Sequence, residues 1–238
     1  MADKRTLNKI RSYSEQAELI YDIHNHNINA MSREIYLHCH EDTIDDEEIG
    51  MEFRMATTFE KNINLLNSLG DANIFIHQHS IGGEWNDGIS IFNTIQASKS
   101  PTTMLAYGHA RSMSSITIQA ADKRVLMKDS DFMVHYGSFY FDGTSIEAES
   151  SYATLVKSNK RMLDIYASRC VNGPFFVEKG YDENDICKYI NKKMRQHSDW
   201  WLSAEEAVHY GFVDGILGTK GFEDIDKIRK TRKNRSTI

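Results

Sequence analysis

Two stretches of this 238-residue chain set glycines beside a group that can do chemistry. Gly82-Gly83 closes a turn after the strand-like Asn73-Ile-Phe-Ile-His77, and Gly108-x-Ala110-x-Ser112-Met113 follows Thr103-Met-Leu-Ala-Tyr107. Paired glycines let a backbone approach a ligand closely with bare N–H groups. A serine that opens a helix has its own N–H and its neighbour's without intrahelical acceptors, and such donors stabilise an oxyanion. A hydroxyl beside two donors is what acyl transfer requires. Spacing alone leaves equally open that Ser112 is an N-cap and that the glycines only turn. A serine nucleophile also needs a base, and the base needs a group to orient it. His135 ends the run Asp131-Phe-Met-Val-His135, where an imidazole also reads as a satisfied core residue. Asp199 stands just before Trp200-Trp201-Leu202, but one acid among 34 carries little weight by itself.

The elements that must hold these groups alternate along the chain. Strands are predicted at 34–38, 73–77, 103–107, 125–127, 131–135 and 212–217, with helices at 53–69, 85–97, 112–121, 145–168, 185–196 and 204–210. Turns fall at 80–83 and 108–111. Ser203-x-x-Glu206 is a capping box for the 204–210 helix, and Gly211 sits where a helix ends. This strand–helix rhythm predicts an α/β protein with a mostly parallel sheet, whose reactive groups gather at strand carboxyl ends. Residues 1–33 read as an N-terminal extension with a short amphipathic stretch at 14–23. The acidic run at 41–48 reads as a solvated loop or a helix start. Residues 219–238 read as a basic, disordered tail carrying Lys227, Arg229, Lys230, Arg232, Lys233 and Arg235.

Composition narrows the function classes. With 40% hydrophobic and 26% charged residues the chain is globular rather than disordered. No run approaches the roughly 20 apolar residues of a membrane helix, and the charged start leads to no apolar signal region. Cys39, Cys170 and Cys187 form no CxxC pair and are expected as reduced thiols of a cytoplasmic protein. The net charge of −6 argues against nucleic acid as a partner despite the basic end. His24-Asn-His26, His38-Cys-His40 and His77-Gln-His79 could chelate on a strand face, but no fourth-ligand spacing accompanies them, so no metal is expected. No cofactor is expected either, and the chain has no G-x-x-x-x-G-K-[ST] loop for ATP.

From Asn73 to Leu217 the chain resembles ClpP, the proteolytic subunit of the Clp protease. His79-Ser80-Ile-Gly-Gly83 is similar to the family's NSPGG turn, and Gly108-His-Ala-Arg-Ser-Met113 fits its GxAxSM motif. Asp131-Phe-Met-Val-His135 fits the histidine strand, and Asp199-Trp-Trp-Leu-Ser-Ala-Glu-Glu-Ala207 with Tyr210-Gly-Phe-Val-Asp214 matches the D-x-F-x-S-A-x-E-A…YGLID block. The resemblance implies a ClpP/crotonase-type spiral of repeated βαβ units over 34–218, with a helical handle at about 138–198. It implies Ser112 as nucleophile, His135 as base, Asp199 as its orienting carboxylate, and an oxyanion hole from the N–H groups of Gly83 and Met113. It further implies a serine endopeptidase acting on protein or peptide substrates in a homo-oligomeric ring, a heptamer or double ring. ATP would act only through a separate AAA+ unfoldase such as ClpX or ClpA. A phage-type head-maturation protease and a crotonase-like acyl-CoA enzyme are the alternatives. Ile81 replaces the family's proline, Arg111 a small residue and Tyr136-Gly137 a Gln-Pro pair, and the stretch before Asp199 is longer than the family pattern.

Overall fold

The computed structural model describes residues 13–38 and 49–232. The acidic run at 41–48, together with Cys39, His40, Lys233 and Arg235, lies outside the described residues. In the extension, α1 (Tyr13–His26) leads into a short antiparallel pair, β1 (Ile28–Asn29) and β2 (Glu34–Leu37). Strands β3 (Ile74–Ser80), β4 (Thr102–Arg111), β5 (Lys123–Leu126) and β8 (Gly215–Ile216) extend the sheet in parallel, in the order β1-β2-β3-β4-β5-β8. Two more strands branch from it. β6 (Asp131–Val134) pairs in parallel with the end of β4, and β7 (Trp200–Leu202) pairs antiparallel with β6.

Crossover helices follow from apolar spacing. In α2 (Phe53–Leu69), Met55, Phe59, Ile63 and Leu66 recur at helical intervals and are buried. Glu52 caps that helix, its carboxylate accepting from the Met55 N–H at 3.0 Å. In α3 (Trp85–Ala97), Ile91, Phe92 and Ile95 form the buried face. The main core joins these helices to α4 (Met113–Thr117), to its continuing 3₁₀ turn (Ile118–Ala120) and to the end of the long α5 (Ser145–Cys170). The expected α/β architecture of stacked βαβ units is therefore present.

Several boundaries differ from the sequence reading. β4 runs on through the Gly108 stretch that reads as a turn, because His109 to Arg111 find a second partner strand in β6. The longer stretch before Asp199 holds α6 (Pro174–Lys179) as well as α7 (Glu183–His197). Phe175 and Phe176 of α6, Tyr189 of α7 and Tyr181 between them pack with Trp200 and Tyr210, which supplies burial that neither helix has alone. α8 (Ala204–His209) carries the expected capping box. Within the stretch read as a disordered tail, α9 (Ile225–Ile228) lies against the sheet's second face. There Ile228 is buried with Phe75, Leu105 and Val125. The Arg229 guanidinium stacks 4.6 Å above the Phe75 ring and pairs with Glu34.

A buried arginine ties the parallel sheet to the C-terminal part of the chain. Arg124 of β5 donates to Asp214 from its N–H at 2.7 Å, from Nε at 3.2 Å and from Nη2, and to Gln119, Gly211 and Phe212 from Nη1. Burial pushes the Asp214 carboxyl up, but the Arg124 guanidinium more than offsets this and holds it below its ordinary value.

On the second face, His77 stacks on Tyr36 at 4.6 Å, and its Nδ1 lies 2.7 Å from the Tyr107 hydroxyl. Nε2 is buried without a hydrogen-bond partner, 3.8 Å from a Glu34 oxygen. Burial dominates and lowers the imidazole to about 4 from 6.5. The unfolded chain therefore binds a proton at His77 that the folded chain refuses, and stability falls as pH drops from 6.5 toward about 4. We expect this to cost on the order of 3 kcal/mol by about pH 4, since each tenfold loss of proton affinity is worth about 1.4 kcal/mol. Urea unfolding across that range checks it: His77→Phe should show a shallower acid loss than wild type, and parallel curves would refute the assignment.

Candidate active site

The site begins where β4 changes partners. Residues 103–106 pair with β5, whereas His109, Ala110 and Arg111 pair with Asp131, Phe132 and Met133 of β6. Ser112 adds one more rung, its N–H donating to the Met133 carbonyl at 3.1 Å. The backbone then turns sharply into α4 with Ser112 at φ 54°, ψ −130°. A non-glycine residue held there costs about 1–3 kcal/mol and persists only where its surroundings enforce it. The Ser112 hydroxyl makes no cap bond. It lies 2.8 Å from Nε2 of His135 instead, so the N-cap reading left open by the sequence does not describe it.

The other two residues arrive by register. His135 follows β6 two positions after Met133, on the same side of the strand. β7 runs antiparallel to β6 with Val134 opposite Trp200, so the residue before β7 falls opposite the residue after β6. That residue is Asp199, and its Oδ1 lies 3.0 Å from Nδ1 of His135. The Asp199 N–H donates to the His197 carbonyl at 2.8 Å, after Ser198 has turned the chain at φ 61°. Tyr136 pins the strand end from the other side, donating to Asn191 of α7 at 2.5 Å. Asn191 also accepts from Arg195 at 3.0 Å. The structure thus brings Ser112, His135 and Asp199 into one hydrogen-bonded line. Nε2 can accept the serine proton while Nδ1–H donates to the carboxylate.

The glycine turn lies against the serine. Gly82 has φ 108° and Gly83 φ 139°, both in the region that favours glycine. A Cβ on Gly82 would sit 2.6 Å from the Ser112 Cβ and 2.8 Å from the Met113 nitrogen. Gly83 forms a parallel bridge with Met51, and the Glu84 N–H donates to the Met51 carbonyl at 2.9 Å. The Gly50-Met51 backing is a part of the site that the sequence reading missed. Of the two amides expected at the serine, that of Ser112 is spent on Met133. Met113 is the first residue of α4, so its N–H has no intrahelical acceptor. Its side chain fills the space that a bare Gly88 leaves on α3.

Two further serines take part without any mark in the sequence, because a hydroxyl inside a short helix leaves no periodic signal. Ser114 Oγ lies 2.7 Å from the carbonyls of both Ser80 and Arg111, which links the glycine turn to the end of β4. Ser115 Oγ donates to the Ser112 carbonyl at 2.7 Å.

In front of Ser112 opens a cleft of about 530 Å³. Ile116, Phe139, Leu155 and Met162 give it apolar walls, with Ser158 and Asn159 among the polar groups along α5. Among the described residues no three His, Cys, Asp or Glu side chains converge on a metal-sized site. No described helix is long and apolar enough to cross a membrane. Burial pushes the Cys170 thiol up to about 12, which leaves it unreactive.

Comparison with known proteins points the same way. The ATP-dependent Clp protease proteolytic subunit of Deinococcus radiodurans is 28% identical over 171 residues, 70% of this chain and 76% of that protein. Proteolytic subunit 2 of Pseudomonas aeruginosa is 26% identical over 170 residues, 71% and 77% of the two chains. The solved structure of a ClpP1 variant from Listeria monocytogenes superposes with a TM-score of 0.64 at 21% identity. It covers 84% of this chain and 96% of that one, which shows the shared fold. The family model for Clp protease matches residues 44–220, and on that match the chain belongs to the Clp protease family and is a serine peptidase.

Proposed function

We propose that this chain is an endopeptidase that cleaves protein or peptide substrates through an acyl-enzyme formed on Ser112. The observation that carries the reading is the 2.8 Å contact from Ser112 Oγ to His135 Nε2, continued at 3.0 Å from Nδ1 to Asp199. Ser112 Oγ attacks the scissile carbonyl while its proton passes to His135 Nε2. His135 then gives that proton to the leaving amine, and water repeats the sequence in reverse to release the acid. Asp199 holds the imidazole in the tautomer that leaves Nε2 free and stabilises the imidazolium. The N–H groups of Gly83 and Met113 serve as oxyanion donors, a role in which losing one donor costs about 2.7–4 kcal/mol. The apolar walls of the cleft suit an apolar side chain next to the cleaved bond. No metal or cofactor enters these steps.

The same reading includes a homo-oligomeric ring in the cytoplasm, served by a separate ATP-driven unfoldase. Relatives named as proteolytic subunits of an ATP-dependent protease support it. So do Ile146, Tyr152 and Val156, large apolar side chains left exposed along α5.

Labelling with a fluorophosphonate, read by intact mass, tests the nucleophile. A single adduct should form on wild type, vanish in Ser112→Ala and form far more slowly in His135→Ala. An adduct or peptide turnover that survives in Ser112→Ala would refute the assignment, and acyl-CoA turnover retained there would favour the crotonase-like alternative. Asp199→Asn should keep KM and lower kcat by about 10²–10⁴-fold, from loss of the correct tautomer. A kcat unchanged in that variant would remove Asp199 from the mechanism.

Gly82→Ala tests the glycine turn. Its methyl group meets the Ser112 Cβ, so either the turn or the serine must move. We expect a loss of about 10²-fold in kcat/KM in protein that still folds, the scale set by a 1 Å misplacement. Wild-type kinetics in a folded Gly82→Ala would show that the turn does not position the reacting groups.

A further inference from the structure

Ser112 is strained, and the bonds on its backbone show what holds it. Its N–H is fixed by Met133 of β6. Its carbonyl accepts twice from Ser115, from the N–H at 3.0 Å and from the hydroxyl at 2.7 Å. The Ser115 oxygen also lies 2.7 Å from the Tyr166 hydroxyl. A serine hydroxyl has one proton. Ser115 spends it on the Ser112 carbonyl, so Tyr166 must be the donor in the second contact. The direction of the chain is therefore Tyr166 O–H to Ser115 O–H to Ser112 C=O. Tyr166 is fully buried on α5, with its ring edge-on to Phe212 at 5.4 Å, so the hydroxyl has little freedom to turn elsewhere.

We propose that Ser115 is a positioning residue for the Ser112 nucleophile, and that Tyr166 fixes the Ser115 hydroxyl in the orientation this requires. The proposal rests on the reading of Ser112 as the nucleophile. It also gives α5 a second task. Met162, one helical turn before Tyr166, lines the cleft, as do Leu155, Ser158 and Asn159. One helix therefore both walls the substrate and secures the backbone of the attacking residue. A substrate that presses on α5 bears on the same element that holds the serine carbonyl.

The competing explanation is that two buried hydroxyls merely satisfy one another. Ser115→Ala, Tyr166→Phe and the double variant separate the two. Fluorophosphonate labelling is resolved into half-saturating concentration and maximal rate, alongside thermal unfolding. In Ser115→Ala the Tyr166 hydroxyl is orphaned, so melting should fall; removing both hydroxyls leaves no orphan, so the double variant should regain part of that loss. The maximal rate should drop about tenfold in both, with the half-saturating concentration nearly unchanged. Tyr166→Phe alone should give an intermediate rate, because the Ser115 hydroxyl stays but is free to rotate. A rate that recovers together with stability in the double variant would overturn the proposal, as would a rate within about twofold of wild type in Ser115→Ala. If Ser115→Ala does not fold, an unchanged maximal rate in Tyr166→Phe overturns it. Wild type that takes no label, or Ser112→Ala that does, sinks the nucleophile assignment itself. Labelled wild type with unaltered rates in these variants sinks only the positioning role.

Discussion

The site depends on one backbone constraint: β4 has to serve two ladders. Its first half is committed to β5 and its second half to β6. Opposite the change of partner, the pairing of β4 with β3 slips between Gln78 and Ser80. Irregularities of this kind re-aim side chains and end pairing, and they collect near active sites. The last rung of the second ladder is the Ser112 N–H on Met133, which leaves the serine no regular way onward and forces its positive φ. Everything reactive is then counted in register from that rung. His135 is two residues on from Met133, just past β6, and Asp199 lies across from it just before β7. No loop has to find its place by its own flexibility.

A strained residue needs several anchors, and they come from different directions. Ser114 reaches back to Ser80, and Ser115 toward α5. Gln119 donates to the Ser115 carbonyl at 2.9 Å and accepts from Arg124, the buried cation on Asp214. Breaking such a pair by removing one partner typically costs about 3–5 kcal/mol, because the other charge is left buried. The helix that Ser112 opens is thus fastened to the part of the fold least able to yield.

What could be read from the sequence tracks how local its cause is. α2 and α3 stand at the predicted bounds, because apolar spacing and burial agree along each of them. The mostly parallel pairing of the sheet follows from the strand–helix rhythm in the same way. β4 beyond Tyr107 was illegible, since Gly108 reads as a turn until a second strand is present to pair with the residues after it. α9 is hidden by its charged neighbours; one buried Ile228 and an arginine over the Phe75 ring hold it, and neither makes a pattern. The candidate site divides likewise. Ser112 and the glycines stand out by spacing, but Asp199 is one carboxylate among 34 until the resemblance singles it out. Ser115 and Tyr166 are 51 positions apart, and only the packing of α5 on α4 joins them.

Two of the departures read from the sequence, Tyr136-Gly137 and the stretch before Asp199, fall beside the residue that needs most support. Asp199 is half-exposed, and the turn before it is held by a single short backbone bond to His197. A carboxylate in that setting orients an imidazole only if the strand beneath it is rigid. α6 and α7 supply that rigidity. Trp200, next to Asp199, is wedged between Tyr189 of α7 and Tyr210, with Phe212 beneath. Lys193 of the same helix lies 5.7 Å over the Trp200 ring. Tyr136, standing where the family has glutamine, ties the residue after the histidine to that helix through Asn191. Both ends of the His135–Asp199 contact are therefore braced against α7, so the longer stretch serves as a buttress for the acid end of the line while β4 and α5 hold its serine end.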